Sequence, residues 1–552
     1  MSMLVSSDKI AEFAELQTAY LIATGELAAA KQEINRLQQE VYNLQRKQQE
    51  SALEMASLKE EVARLMEQLL LLKKQKFGKS SEINPGETII LPGEDNFISD
   101  HDKSILVSSY SRQKPSKSRG RNIDLSTLPR YIIYHDLDDE HKNCICCNKP
   151  LVKIGQDVSE QLEVLPMRIY VIEHVRYKFA CRDTQTIYMA PKPPAPIPKS
   201  LAGGSLLTEV IINKYQYHIP LYRQSKIFAS YNVVIPDNTI GNWVMQSGRE
   251  LIIKLAEAMW QAVLSVKYLQ VDETPIKLLK PNKKGYLWAY FAPHIGQGLV
   301  VFELSETRSG SVAETRLANF TGLLQTDGYA GYNSLRKRKG ITGFGCLTHC
   351  RRKFNDVLKI TNNSKGVAAE VIARLKPLYA LEKKMRDLKL NFHTRKRLRQ
   401  KQAWPILKAM RPWLKQQLAK TPPKSKLGQA IEYMLNQWSY VTGYLRHGAA
   451  EIDTNWVENE IRPIALGKKN WLFMEGEKSG EVNAFWYSIV LSALLNEINP
   501  RVYIHFLLMK MHDLRLGKVD PMTLLPHTID KNQLQEFADK QIAFGKQVLD
   551  SS

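Results

Sequence analysis

Cysteine is scarce in this chain. Six occur in 552 residues, too few for a disulfide scaffold in a protein of this length. Three of them crowd at Cys144, Cys146 and Cys147, which fits a reducing compartment and a metal rather than cross-links. No apolar run is long enough to span a bilayer. The first residues, Met1 to Asp8, lack the basic stretch and apolar core of a signal peptide. These absences predict a cytoplasmic protein without a membrane phase. Acid is short as well: 56 Asp and Glu stand against 77 Lys and Arg, a formal charge of +21. An excess spread over many segments predicts a polyanionic partner, most simply nucleic acid.

What is present divides into six regions of a multidomain α/β protein. Residues 1–82 hold a heptad that runs unbroken from Leu27 to Leu72 and includes Ile34, Leu37, Val41, Leu44, Met55, Leu58 and Leu65. Apolar residues at this spacing predict an N-terminal coiled coil, most simply a homodimer, with Gln48 and Ser51 as polar positions that fix register. The alternative is an amphipathic helix packed on its own protein. Residues 83–128 lack periodicity and end in the cations Lys114, Lys117, Arg119 and Arg121 around Gly120, a basic flexible linker. Such a run either tracks phosphates or is simply solvated.

Residues 129–190 read as a small β-rich, zinc-finger-like module, with strands at Tyr131–Tyr134 and Met167–Ile172. Cys144 and Cys147 have the Cys-x-x-Cys spacing of a structural zinc site, Cys181 offers a third thiolate, and His141 or Cys146 a fourth ligand. Thr184 stands where a second Cys-x-x-Cys pair needs cysteine. Pro191 to Pro198 is a spacer. Residues 199–265 read as helical, either a DNA-binding element or, preferably, a packing layer, with Asp237 to Thr239 capping the helix that carries Ile240, Trp243 and Val244.

Residues 266–480 carry the chemistry. An apolar run from Tyr268 to Val271 leads into Asp272. Strands at Tyr286–Phe291 and Leu299–Leu304, a helix from Ser311 to Phe320, and a strand at Leu323–Thr326 ending in Asp327 come next. Three strands, a helix and a strand in that order predict a ribonuclease-H-like catalytic core, in which Asp272 and Asp327 lie on neighbouring strands. A third carboxylate has to arrive from the helix containing Asp453 to Pro463. Asp453 is placed to cap it, Val457 and Ile461 face the core, and Glu458 shares a face with Arg462; helix geometry therefore favours Glu458 over Glu460. Three such carboxylates can hold two divalent cations about 3.5–4 Å apart for phosphodiester chemistry, and hard oxygen ligands suit Mg2+ or Mn2+. Either Asp alone would more commonly be a turn former; the pairing of strand ends argues otherwise.

Two cationic stretches flank this set. Arg351, Arg352 and Lys353 follow a fifth strand, and Arg462, Lys468 and Lys469 follow Glu458; both mix cations with aromatics, as nucleic-acid surfaces do. His349 reads as a phosphate contact or a cap, and Cys346 and Cys350 as core residues in preference to metal ligands. Between about 361 and 450 lies a basic helical insertion that includes Arg395, Arg397, Arg399 and Lys401. It is either a solvated face or, in a nuclease, a DNA clamp or dimer contact. Residues 481–552 read as a helical C-terminal region.

Asp-Glu-Thr-Pro at 272–275, Thr-Asp-Gly-Tyr-Ala-Gly-Tyr-Asn at 326–333, His349 with Arg-Arg-Lys-Phe at 351–354, and the run from Glu458 to Phe473 together resemble the transposases of the insertion-sequence 66 family. Asp-Val-Ser-Glu-Gln-Leu at 157–162 and Pro-Leu-Tyr-Arg-Gln at 220–224 extend the likeness over nearly the whole chain. The resemblance implies a DDE-type DNA transposase that acts with magnesium on the terminal inverted repeats of a mobile element. Asp272, Asp327 and Glu458 would be its acidic triad, Glu458 lying three positions before Ile461-Arg462-Pro463. Such an enzyme would work at the bacterial nucleoid, as a homo-oligomer and with accessory proteins of the same element. This chain departs from the family pattern at Thr184 and at Asn459, where arginine is common. The rival reading is a DNA-binding protein without catalysis, such as a decayed transposase copy; the presence of all three carboxylates favours the enzyme.

Overall fold

The computed structural model describes residues 187–361 and 366–550, residues 167–180, scattered positions between 132 and 162, and most positions from 12 to 50 together with Met55. The described N-terminal positions are helical, and Leu27, Ile34, Leu37, Val41 and Leu44 of the heptad are all exposed. The rest of the heptad, the linker 83–128, and Cys144, Cys147 and Cys181 lie outside the described residues.

The strands expected in the small module do not form at Ile132–Ile133 or over Met167–Ile172. A strand needs a neighbour to complete its ladder, and Ile132, Val171 and Ile172 remain exposed. The hairpin forms further on, where β1 (Lys178–Ala180) pairs antiparallel with β2 (Ile187–Met189).

Past the proline spacer come α1 (Gly204–Tyr215), α2 (Leu221–Ser230), α3 (Asp237–Leu251) and α4 (Glu257–Leu264), the last two joined by a π-helical turn over Ile252–Ala256. Asp237 is the first residue of α3 and not its cap; its Oδ1 accepts only the neighbouring Asn238 amide, at 2.9 Å. Trp243 and Val244 are buried, and the Val244 carbonyl accepts the indole N–H of Trp486 at 3.4 Å. This region is a packing layer against the C-terminal helices.

The central sheet contains β3 (Tyr268–Leu278), β4 (Lys283–Ala292) and β5 (Leu299–Ser305), followed by α5 (Gly310–Arg316), β6 (Gly322–Gln325), α6 (Asn333–Lys337) and β7 (Ile341–Phe344). Its order is β5–β4–β3–β6–β7. Strand β4 runs antiparallel to both β3 and β5, β6 runs parallel to β3, and β7 parallel to β6. Asp272 lies within β3 and not at its end, because β3 continues through Pro275 opposite β4. Its pairing with β6 stops at Gln270, and a proline is tolerated where a strand has only one neighbour.

After β7, α7 (Leu347–Thr361) leads into the helical insertion: α8 (Val367–Asp387), α9 (Phe392–Leu398), a π-helical turn over Arg399–Ala403, α10 (Trp404–Ala419), α11 (Lys426–Asn436) and α12 (Trp438–Gly443). Its apolar interior is continuous with the sheet: Phe344, Leu347 and Phe354 are buried with Leu375, Leu407, Met410 and Ile431. The insertion is built onto β7 and α7 and is not an appendage.

The chain returns through α13 (Asn455–Trp471) and ends in α14 (Glu477–Leu495), α15 (Pro500–Arg515) and α16 (Lys531–Asp550). Helix α14 covers the free edge of β5. Ser488 accepts the Phe302 amide at 2.9 Å, and Ser492 bonds both the amide and the carbonyl of Val300 at 3.1 Å. An exposed sheet edge is a template for unwanted pairing, and here two serines occupy it.

Candidate active site

Strands β3 and β6 are in parallel register with Gln270 beside Gln325. Two residues further along each chain stand Asp272 and Asp327, and alternation of side chains puts Gln270 and Asp272 on one face of β3. Asp272 Oδ1 accepts the Glu273 amide and Asp327 Oδ1 the Tyr329 amide, each at 2.9 Å. Glu458 lies in the first turn of α13, where the helix dipole favours a carboxylate. Its Oε1 accepts Thr454 Oγ1 at 3.0 Å, and Arg352 donates to its Oε2 at 3.0 Å.

The three carboxylates are electrostatically one group. Burial, followed by the negative charges of Glu273, Asp327 and Glu458, holds the Asp272 carboxyl well above the ordinary carboxylate range. Among the described residues the three do not form a donor set within 4.8 Å of one another; what joins them is like charge on a half-buried face, which a divalent cation meeting oxygen donors would neutralise. Glu460 does not belong to this group. Its carboxyl is pushed up to about 7 by burial alone, with no contribution from Asp272 or Asp327.

Two residues that sequence reasoning missed lock the arrangement. Gln270 Oε1 accepts the Val457 amide at 3.1 Å, one of the amides that the first turn of α13 leaves free. Its Nε2 donates to Tyr268 Oη at 2.8 Å and to the Asp453 carbonyl at 3.1 Å. Gln325 Nε2 donates to the carbonyls of Gly345 and Glu451, each at 2.9 Å, while Tyr268 donates to Gln325 Oε1. The two strands are thus bolted through buried amides to the segment that delivers Glu458. The signal was present: each glutamine interrupts an apolar run two positions before an aspartate.

Asp453 is a brace and not the helix cap. Thr454 holds the cap position, while Asp453 accepts Thr348 Oγ1 at 2.8 Å and the Asn455 amide at 3.2 Å. Glu273, next to Asp272, is held by Arg308 at 2.7 Å and by the Tyr332 hydroxyl. The Arg308 guanidinium lies 4.1 Å from the Tyr329 ring centroid. Gly328 follows Asp327 because there is no room for more. A Cβ there would stand 2.1 Å from the Tyr433 hydroxyl of the insertion.

The expected nucleic-acid contacts divide by environment. Arg352 is exposed apart from its bond to Glu458, and Arg462 is exposed. Arg351 stacks on Tyr379 and Lys353 on Tyr433, each at 4.4 Å. Lys468 donates to the Pro275 carbonyl at 3.3 Å, and Lys469 is exposed. His349 neither caps a helix nor stands free. Its Nδ1 faces Glu458 Oε1 at 3.6 Å, and burial lowers its pKa. Cys346, His349 and Glu458 offer donor atoms within 4.8 Å of one another. Burial keeps Cys346 a thiol, its sulfur accepting the Thr454 amide at 3.3 Å, so it serves as packing. Cys350 is fully buried, its thiol pushed up to about 12.

The insertion overturns one expectation. Arg395 and Arg399, counted in its basic face, are buried. Arg399 Nε and Nη2 each meet Glu382 at 2.7 Å, and its Nη1 donates to the carbonyls of Tyr444 at 3.2 Å and His447 at 2.7 Å. Arg395 joins Glu451 at 2.5 Å and Glu382 at 3.4 Å, and Arg386 closes on Glu451 at 3.1 Å. The segment 444–454 that leads into α13 is therefore clamped from the insertion by charged pairs and from the sheet by Gln270 and Gln325.

Comparison with known proteins covers both the small module and the central region. Residues 199–482 match the family model described as Transposase IS66 family, and residues 141–183 match that described as zinc-finger binding domain of transposase IS66. Uncharacterized protein y4jD of Sinorhizobium fredii is 31% identical over 406 residues, 70% of this chain and 78% of that one. Two further proteins of that organism, y4hP and y4qI, are 29% identical over 394 residues and 32% over 371. They span 67% and 64% of this chain and 70% and 68% of their own lengths.

Proposed function

The chain belongs to the IS66 family of transposases, and from that premise we propose that it cuts and joins DNA at the ends of its mobile element through Asp272, Asp327 and Glu458. The observation that carries this reading is that β3, the residues just after β6 and the first turn of α13 each present a carboxylate, with Asp272 raised by burial and then by the charges of Glu273, Asp327 and Glu458. The strand order β5–β4–β3–β6–β7 supports a ribonuclease-H-like core.

Asp272, Asp327 and Glu458 would hold two Mg2+ or Mn2+ ions. When bound, such ions activate the attacking oxygen and stabilise the leaving one. The remaining residues orient the partners. Gln270 and Gln325 fix the distance between strands and helix, Thr454 and Arg352 fix the Glu458 rotamer, and the Glu273–Arg308 pair braces the loop after Asp327. Arg351, Arg352, Lys353, Arg462, Lys468 and Lys469 contact DNA phosphates beside the site. The exposed apolar heptad of the N-terminal helix supports a coiled-coil homo-oligomer, and the match over 141–183 supports a structural zinc at Cys144, Cys147 and Cys181. Accessory proteins of the same element, and a site of action at the bacterial nucleoid, belong to the same reading.

Asp272→Asn and Glu458→Gln are expected to abolish magnesium-dependent cleavage of an element end and to leave DNA binding intact, whereas Glu460→Gln keeps cleavage. Wild-type cleavage rates in the Asp272 variant would sink the proposal.

A further inference from the structure

Between Leu388 and Ile431 there are twelve lysines and arginines and no aspartate or glutamate. Two of the twelve, Arg395 and Arg399, are neutralised inside the protein by Glu382 and Glu451. The other ten are exposed, so the surface of the insertion carries a concentrated share of the net charge of +21.

Helix α10 arranges part of this charge. Its core positions Leu407, Met410 and Leu414 are buried. Trp404, Lys408, Arg411 and Lys415 follow one another at steps of four, three and four, which at 3.6 residues per turn places them within a sector of about 60°. That sector is about a quarter turn from the core. Lys401, in the π-helical turn before α10, is exposed as well. From Lys401 to Lys415 is about 21 Å of helix, the axial rise of about six base pairs of duplex. No carboxylate among the described residues pairs with any of these cations. Like charges three and four positions apart disfavour a helix by about 0.2–0.5 kcal/mol per pair, and a polyanion supplies the missing counter-charge. Trp404, 45% exposed at the head of the lane, adds a flat apolar surface.

We propose that this lane of α10 is a second DNA contact, which grips the phosphate backbone of a duplex and reads no bases. Its partner is double-stranded DNA. The inference rests on the transposase reading above and extends it to a surface outside the carboxylate site. Half or more of the hydrogen bonds that proteins make to a duplex go to phosphate and sugar, with lysine and arginine among the donors, and a row of them along one helix follows a backbone; arginine reading guanine would instead show as a loss confined to one sequence.

The test uses the full chain with Asp272→Asn, so that DNA stays uncut, with and without Lys401→Gln, Lys408→Gln, Arg411→Gln and Lys415→Gln together. Affinity for an element end and for an unrelated duplex is measured across a salt series. Each phosphate contact adds about 0.9 to the slope of log affinity against log salt. The fourfold variant should therefore lose about 3 to 4 from that slope on both duplexes, with its thermal melting unchanged because all four side chains are exposed. An unchanged slope overturns the proposal, as does a loss confined to the element end, which would mean that the lane reads sequence. Cleavage by wild type with an unchanged slope in the variant removes the lane alone. A lowered slope in a protein whose wild type does not cleave removes the catalytic reading alone.

Discussion

Replacing Arg399 with methionine keeps the aliphatic stem and removes the guanidinium from a site that is 0% exposed. Glu382, itself 1% exposed, then keeps only Arg395 at 3.4 Å, which is also engaged by Glu451. The carbonyls of Tyr444 and His447 lose a donor in the same step. Breaking a buried ion pair from one side costs about 3–5 kcal/mol, and an unsatisfied buried carbonyl about 1–3. These contributions overlap, since the same guanidinium makes all the bonds, and about 4 kcal/mol is the expected loss. A chain with several domains does not unfold in two states, so the local measurement is hydrogen exchange of the amides in α8 to α12. A loss of 4 kcal/mol corresponds to about a thousandfold faster exchange for amides that open with the insertion. Arg399→Met combined with Glu382→Leu leaves no orphaned charge and should recover most of the protection. Protection in the single variant within tenfold of wild type would refute the clamp, and so would a double variant no better than the single one.

Three further outcomes are expected. Gln270→Leu deprives the Val457 amide and the Asp453 carbonyl of partners; it should lower cleavage by about a hundredfold, the effect of roughly 1 Å of misplacement, with DNA affinity unchanged, and wild-type cleavage would refute the lock. His505 is lowered to about 4 by burial, so the fold keeps it neutral while the unfolded chain takes up a proton below about 6.5. Its contribution is complete above about pH 6.5 and is lost as pH falls toward 4, by at most about 3 kcal/mol; His505→Phe should flatten the pH dependence of thermal stability in that window, and parallel curves would count against it. Metal analysis of the purified chain should find about one zinc, lost in Cys144→Ser; a metal-free wild type would exclude the structural site.

The parts of the site legible in the sequence were those written in local pattern. Apolar runs ending in an acid announced β3 and β6, and the spacing of Val457, Ile461 and Glu458 was enough to orient α13. What was not legible depends on partners far along the chain. Arg399 reads as a surface cation until Glu382, 17 residues earlier, is brought against it, and Arg395 until Glu451, 56 residues later, is. Gln270 looks like a blemish in a strand until the first turn of α13 arrives to use it. The misplaced strands at Ile132–Ile133 and Met167–Ile172 failed for the same reason: β propensity is local, but a ladder partner is not.

Glu458 follows Asp327 by about 130 positions, and about two-thirds of the intervening chain is the insertion that holds the approach to α13 in place. A growing polypeptide thus exposes Asp272 and Asp327 first, side by side and without a third acid. At about 5–20 residues per second, the ribosome needs on the order of ten seconds to add the stretch that completes the set. A product that stops early, within the insertion, never acquires it. On the proposed function, synthesis itself would be a safety interlock: a protein made next to its host's DNA would have no finished cutting site until most of its length had been translated.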